Sequence, residues 1–331
     1  MIQERQLVRK IARALAPARA ASSRLKVGIG DDAAVISAAG RTEWVLSCDT
    51  FLEDVHFRAR THPPDSVGYK ALARASSDLA AMGATPRYFL LTLALPTTRT
   101  GPWLEAFLKG MRRAARELGI TIIGGDTTKS RTLFISITVL GEISPGRSLT
   151  RSGARPGDII YVSGKLGRAQ LGLELVLRGH AQDRQLRAPV QPHLYPKIRV
   201  ELGSWLAAHR IATSAMDLSD GLSTDLARLC TASQVGAKIY ARKVPAVVIP
   251  AAAARKLGKS KLDPLQLALH SGEDYELLFT VPPRDAKKLL HAPGAATLAP
   301  IGEITRNRQL ILVAPDAREK PLKSQGWEPF R

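Results

Sequence analysis

Apolar residues return every three or four positions across residues 69–82, where Leu72, Ala75, Leu79 and Met82 fall on one side. That spacing predicts a helix, with Gly83 to cap its end and Pro86 to prevent its continuation. Asp78 lies three residues after Ala75 and four before Met82, on the shoulder of the buried face, where a merely solvated charge has no place. The same periodicity predicts helices over 1–15 (Leu7, Ile11 and Leu15 on one face), 103–118 and 166–177, a helix running through His209, and another carried on Leu222, Leu226 and Leu229. Short apolar or alternating runs predict strands at 44–47, delivering Asp49 at its end, and at 88–95, 120–123 (short and buried) and 133–143. Further strands are expected at 158–163, 237–241, 275–281, 298–304 and 309–313, and the proline-bearing stretch 187–196 reads as a loop.

Strand and helix alternate throughout, so the class is α/β or α+β. The pattern breaks over 145–156 into Pro, Gly, Ser and Arg, which divides the chain into an N-terminal domain, 1–148, and a C-terminal domain, 149–331. A length of 331 residues, 45% of them hydrophobic, suits two cores better than one. No internal repeat stands out, and the only low-complexity tract is a short Ala run at 251–254.

No stretch is long and apolar enough to span a membrane. The basic, amphipathic start carries Glu4 and no cleavage-type segment, so it reads as an ordinary first helix rather than a leader. Two cysteines, Cys48 and Cys230, make no disulfide framework and fit a reducing cytoplasm. The formal charge of +19 suggests a nucleic-acid binder at first. However, the basic residues are scattered, aromatics are 5%, and no helix-turn-helix, zinc knuckle or aromatic ribonucleoprotein motif is present. A basic solvated surface that attracts anionic metabolites is the better reading.

The acids, in contrast, concentrate in motifs. Val27-Gly28-Ile29-Gly30-Asp31-Asp32-Ala33-Ala34-Val35 sets two carboxylates side by side on a glycine turn between apolar residues, a place that calls for a hard divalent cation. Ser47-Cys48-Asp49-Thr50, Ser77-Asp78-Leu79, Gly124-Gly125-Asp126-Thr127 and Asp217-Leu218-Ser219-Asp220-Gly221 repeat that logic, and together they read as one multi-metal site. Mg²⁺ prefers a few carboxylates plus phosphate oxygens, so the expected ligand is a polyphosphate.

Each motif also has a plainer reading. Gly28-x-Gly30-x-x-Ala33 formally matches a dinucleotide fingerprint, yet Asp31 and Asp32 would repel a pyrophosphate. No Gly-x-x-x-x-Gly-Lys-Ser/Thr loop is present, so ATP would be handled without one. Ser219 or Asp220 would suit the N-cap of the following helix, a role compatible with a phosphate site. Gly124-Gly125-Asp126 is a turn, or a close approach of backbone to phosphate beside a metal. Arg151 is a linker charge or a phosphate clamp. His56, between Val55 and Phe57 on an expected strand, is by default a structural histidine. Zinc pairs and a Ser/His/Asp arrangement are absent.

Taken in order, Gly28–Ala34, Ser77–Gly83, Gly124–Thr128, Thr150–Ala154, Asp217–Leu222 and Gly272–Leu277 resemble the motifs of the thiamine-monophosphate kinase family over nearly the whole chain. The resemblance implies ATP-dependent phosphorylation of thiamine phosphate to thiamine diphosphate with Mg²⁺. It also implies the two-domain fold of the aminoimidazole ribonucleotide synthetase and selenophosphate synthetase superfamily, with N-terminal sheets pairing across a homodimer. By the same resemblance Asp32, Asp49, Asp78, Asp126, Asp217 and Asp220 are metal ligands. Gly125, Asp126, Arg151 and Ser219 are nucleotide contacts, Asp126 and Arg151 the catalytic pair, and His56, Glu273 and Trp327 the thiamine-phosphate side. The chain departs from the family where Cys48 replaces a usual Thr and where Asp54 stands in place of a common Gly.

A phosphate monoester, whose second pKa is about 6, is mostly ionised near neutral pH and attacks without a general base, which suits a motif set rich in charge-neutralising groups. The rival readings are another ATP-dependent synthetase of the superfamily, a basic nucleic-acid-binding protein, and a nicotinamide-dependent dehydrogenase. The selenide-using synthetase would be expected to carry a reactive Cys near the N-terminus, and residues 1–47 contain none.

Overall fold

The computed structural model describes residues 4–14, 24–38, 40, 42–258 and 262–329. Helix α1 (Glu4–Ala14) opens the chain; Met1 and Leu15, the ends of the expected helix, lie outside the described residues. A six-stranded sheet follows, built from β1 (Leu25–Val27), β2 (Ala34–Ser37), β3 (Glu43–Leu52), β4 (Thr85–Leu95), β5 (Thr121–Lys129) and β6 (Phe134–Ile143). Its order is β1-β2-β3-β6-β4-β5, antiparallel except for the parallel pair β4 and β5.

Two strands differ from the sequence reading. β3 runs on to Leu52, so Asp49 sits within the strand opposite Ile137 of β6 rather than at a strand end. β5 is neither short nor buried: it spans nine residues, all exposed, and absorbs Gly124-Gly125-Asp126 into the strand. Gly125 fits because its backbone presses on β4, where an added Cβ would meet the Leu91 carbonyl oxygen at 1.9 Å.

Helix α2 (Pro64–Ala81) covers one face of this sheet and is buried on nearly every side, with Lys70 at 2% exposure beside Leu72 and Leu79 at 0%. It crosses α3 (Pro102–Leu118) at van der Waals range because Gly68 faces the Phe107 carbonyl and Gly110 faces that of Asp65; a Cβ on either would overlap backbone. β6 alternates accordingly, with Ile135, Ile137 and Val139 buried and Ser136, Thr138 and Leu140 half-exposed on the other face. Trp44 and Tyr88 meet on that second face at 6.0 Å between ring centroids.

Residues 144–158 carry no helix or strand. Beyond them come β7 (Ile159–Val162), α4 (Arg168–Leu177), α5 (Arg187–Leu194), α6 (Val200–His209), β8 (Ser214–Asp217), α7 (Leu222–Ser233) and β9 (Gly236–Tyr240). α8 (Ala251–Leu257), α9 (Pro264–His270), β10 (Leu277–Val281), β11 (Ala299–Thr305), β12 (Leu310–Val313) and β13 (Glu319–Pro321) complete the chain. The seven strands order as β13-β12-β9-β11-β7-β10-β8. The expected loop at 187–196 is largely α5: Pro189 falls in the first turn, where its missing N–H is not needed, and Pro192 lies one turn from the end.

α2 also packs against α6 and β8, so the halves share a core in which Leu72 and Leu79 join Leu206, Ala215 and Phe279. The end of α2, the end of β8 and the Gly28–Asp32 turn therefore arrive together at the junction.

Candidate active site at the domain junction

Three carboxylates converge there. Oxygens of Asp32, Asp78 and Asp217 lie within 4.8 Å of one another, each delivered by a different element: the glycine turn before β2, the end of α2, and the end of β8. Hydroxyls on neighbouring elements hold two of them, Ser47 Oγ on β3 donating to Asp78 and Ser77 Oγ donating to Asp217 at 2.6 Å. Arg151, from the interdomain segment, donates through Nη2 to Asp32 Oδ1 at 2.7 Å, and its backbone N–H donates to Asp31 at 3.0 Å.

One cation among three carboxylates leaves a deficit of positive charge. Burial, and then the mutual repulsion of Asp217, Asp49 and Asp32, push the Asp78 carboxyl well above the ordinary range. Burial followed by the charge of Asp32 raises Asp217 to about 7. Asp32 is raised as well, by burial, despite the opposing pull of Arg151. Asp32 Oδ2 is buried without a hydrogen-bond partner, an orphaned acceptor. All-oxygen donors with surplus negative charge fit a hard divalent ion such as Mg²⁺.

Asp49, Asp126 and Asp220 do not join this close group. Asp49 pairs instead with Arg74 of α2 at 2.8 Å, and Asp220 with Arg228 of α7. Asp126 lies exposed on β5, its Oδ1 accepting from Thr127 N–H at 2.8 Å. The expected Ser219 or Asp220 cap is not formed: Gly221 takes the N-cap position, and Asp225, inside α7, accepts from the backbone N–H groups of Asp220 and Gly221 at 3.0 Å each. Both Asp220 side-chain and main-chain groups are thus tied down locally, and its carbonyl accepts from the Trp327 backbone N–H at 3.0 Å, with Trp327 itself 49% exposed.

The Asp217 and Glu273 motifs are laced together, since the N–H groups of Glu273 and Tyr275 donate to the carbonyls of Ser219 and Leu218. Glu273 (φ 67°) and Tyr275 (φ 49°) both hold left-handed backbone conformations, unusual for residues with side chains. The Glu273 carboxylate pairs with Lys70 of α2 at 2.8 Å and with His193 of α5 at 3.2 Å. His56 lies in the turn after β3, not on a strand; its Nδ1 accepts from Leu52 N–H at 3.0 Å. Burial, reinforced by Arg74, lowers its pKa to about 4, so it is neutral at physiological pH. Asp54 in the same turn has φ 64°, a left-handed conformation that glycine adopts without strain. Cys48 is exposed, its Sγ 3.4 Å from Thr138 Oγ1. The Gly28–Asp32 turn leads into β2 rather than a helix, which removes the dinucleotide reading.

Lys70, Arg74, His193, Asp225 and Arg228 escaped the sequence reading. Two of them had left a signal: Lys70, Arg74 and Asp78 are spaced by four along a helix whose apolar residues already marked it as buried.

Residues 30–143 match the N-terminal domain, and residues 155–314 the C-terminal domain, of AIR synthase related proteins. Thiamine-monophosphate kinase of Synechococcus elongatus is 36% identical over 91% of this chain and 91% of its own length. The chain belongs to the thiamine-monophosphate kinase family. A structure of AaThiL complexed with AMPPCP and TMP superposes with a TM-score of 0.84 at 31% identity, covering 99% of this chain and 97% of that one. Thiamine monophosphate kinase from Aquifex aeolicus gives 0.77 at 31% identity, with 93% and 98% covered. The fold is that of two α/β domains carrying two separate sheets.

Proposed function

We propose that this kinase transfers the γ-phosphoryl group of ATP directly to thiamine phosphate, giving thiamine diphosphate, at the junction of the two domains. The observation that carries this reading is the convergence of Asp32, Asp78 and Asp217 within 4.8 Å, with Arg151 on Asp32. The complex of AaThiL with AMPPCP and TMP supports it, as do the curated relatives.

Asp32, Asp78 and Asp217 are the residues that would hold Mg²⁺, with Asp49, Asp126 and Asp220 completing further positions. Bound there, the metal would neutralise phosphate charge and align the in-line displacement. Arg151 and the backbone at Gly125 and Ser219 bind the nucleotide phosphates, with Arg151 and Asp126 closest to the transferred group. The substrate's organic end lies against His56, Glu273 and Trp327. Neutral His56 can hydrogen-bond without adding charge, and ionised Glu273 suits a cationic, amine-bearing partner.

In this reading residues 1–148 form the ATP- and metal-binding, dimer-forming domain, and 149–331 complete the nucleotide and substrate site. A homodimer through the first sheet is supported by its uncovered edge and face, where Ile122 and Ile123 are 52% and 54% exposed and Tyr88 and Leu90 flank them. Among the described residues no helix is long and apolar enough to cross a membrane, and both thiols are free, in keeping with a cytoplasmic enzyme.

The test is thiamine diphosphate formation from ATP and thiamine phosphate with Mg²⁺, comparing the parent with Asp78→Asn and with free thiamine as a control acceptor. Product from the parent, a loss of 100-fold or more (about 3 kcal/mol of barrier) in the variant, and none from free thiamine are expected. ATP turnover that leaves thiamine phosphate untouched would refute the acceptor.

A further inference from the structure

Behind Glu273 lies a buried polar chain that the phosphoryl-transfer reading leaves unused. His62 and His193 are 4% and 0% exposed, and their Nε2 atoms meet at 3.0 Å, so one must donate and the other accept. At the far end, His62 Nδ1 receives the Arg58 N–H at 3.2 Å and lies 3.1 Å from the Thr61 hydroxyl. At the near end, His193 Nδ1 sits 3.2 Å from Glu273 Oε2, while Lys70 Nζ, 2% exposed, sits 2.8 Å from Oε1.

The proton positions follow from these partners. With His62 Nδ1 accepting, His62 Nε2–H donates to His193 Nε2, and His193 Nδ1–H donates to the Glu273 carboxylate. The opposite arrangement would let His62 Nδ1–H face the Arg58 carbonyl at 3.1 Å, and Lys70 Nζ donate to His193 Nδ1 at 3.3 Å. It would also set a His193 lone pair against a carboxylate and an Arg58 N–H against another N–H. The first arrangement has conflicts of its own, His193 Nδ1–H beside Lys70 Nζ and the His62 Nδ1 lone pair beside the Arg58 carbonyl, but it gains the charge-assisted bond from His193 Nδ1–H to Glu273, which decides between them. Burial, and then the neighbouring positive charge, depress both imidazoles, His62 to about 3, so each is neutral and carries one proton. Burial alone would raise Glu273, but Lys70 and then His193 outweigh it and hold the carboxyl well below its ordinary range.

We infer that His193, oriented by His62, is a positioning residue that fixes the Glu273 carboxylate, with Lys70, as a preorganised acceptor for the amine-bearing end of thiamine phosphate. This rests on the kinase reading of the preceding section. The backbone serves the same end: the Glu273 N–H is tied to the Ser219 carbonyl at 2.8 Å and its φ is fixed at 67°. Main chain and side chain are thus both immobilised before any substrate arrives, as a rigid specificity contact requires. The three elements involved, α2, α5 and the 271–276 segment, come from both domains, so the carboxylate is also placed relative to the domain junction.

The discriminating pair of variants is His193→Asn and His193→Gln, because an asparagine amide N–H falls where Nδ1–H is and a glutamine amide falls where Nε2 is. H193N should keep the KM for thiamine phosphate within about threefold of the parent, since it retains the donor to Glu273, whereas H193Q and E273Q should raise it about tenfold or more. The KM for ATP should stay within about twofold in all three, because the lost contact is not on the nucleotide side. An unchanged KM for thiamine phosphate in H193Q, or an equal rise for both substrates in H193N and H193Q that follows the melting temperature, would overturn the inference and leave a purely structural role. ¹⁵N-histidine NMR of the parent reads the protons without turnover: Nδ1–H on His193 with Nε2–H on His62 is expected, and the reverse tautomers would refute the inference even in an active enzyme. A parent that shows these tautomers yet forms no thiamine diphosphate would instead overturn the kinase reading, and with it the substrate assigned to Glu273.

Discussion

Ser77 Oγ donates to Asp217 Oδ2 across 2.6 Å, and by that bond α2 of the first domain holds the end of β8 of the second. Ser77 is 1% exposed and Asp217 3%, so no water replaces the hydroxyl when it is removed. At pH 8, where Asp217 is ionised, Ser77→Ala should therefore destabilise the protein by about 2 kcal/mol, the range for a buried hydrogen bond to a charged group. It should also raise the Mg²⁺ concentration for half-maximal rate by about tenfold or more, because groups that orient metal-binding carboxylates matter nearly as much as the ligands. Urea unfolding and a Mg²⁺ titration of the rate measure the two effects, and a variant with parental Mg²⁺ dependence would show that Asp217 does not need its donor.

The fold shows why some of this was legible in the chain and some was not. The helix from 69 to 82 could be read because Leu72, Ala75, Leu79 and Met82 recur every three or four positions, and Asp78 stood out against that periodicity. Its partners Asp32 and Asp217 come from segments about 46 and 139 residues away, and only their motif chemistry tied them to it. α5 was missed because two prolines in eight residues mimic a loop, although their positions in the helix are tolerable ones. β5 was misjudged for another reason: Ile122 and Ile123 look like core residues, yet they lie exposed on the edge strand of the first sheet. Asp49 and Asp220 look like free ligands in sequence, yet Arg74 and Arg228 occupy them here. Those are tertiary pairings that no local pattern encodes.

The turn at Asp54 offers a small, clean test. Its φ of 64° suits glycine, and its side chain is exposed, so Asp54→Gly removes backbone strain without removing packing. The bond from its N–H to the Phe57 carbonyl, at 2.7 Å, survives the change. The expected gain is about 0.5 kcal/mol, the left-handed penalty being partly offset by the greater freedom of unfolded glycine. Chemical denaturation measures it, and a loss of stability would mean that the carboxylate makes a contribution of its own.

The exposed β5 edge makes the dimer testable. If two first sheets join there, Ile123→Lys places a charge in an apolar seam and should convert a dimer into a monomer in analytical ultracentrifugation at micromolar concentration, a cost on the order of 2–3 kcal/mol. Asp126 lies on the same strand, so the monomer should also lose activity well beyond any loss of stability. A parent that sediments as a monomer, or a variant that remains dimeric, removes the edge from the interface.

The carboxylate cluster sets the pH dependence. Folded Asp217 keeps its proton up to about pH 7, whereas an unfolded carboxyl releases it near 3.8. Between those values the folded state binds more protons, so in the absence of metal this group's contribution to stability is fully present below the lower value and is lost as pH rises through the upper one. Asp217→Asn has no proton to lose. In EDTA, therefore, its stability should improve relative to the parent on going from pH 5 to pH 8, by on the order of 1–3 kcal/mol. Mg²⁺ competes with the same protons, so adding it at pH 8 should stabilise the parent more than the variant, reversing the order. Urea unfolding at the two pH values, with and without Mg²⁺, resolves all four cases. Parallel pH dependence in parent and variant would show that Asp217 is not the group that titrates, and an equal response to Mg²⁺ would show that it does not hold the ion.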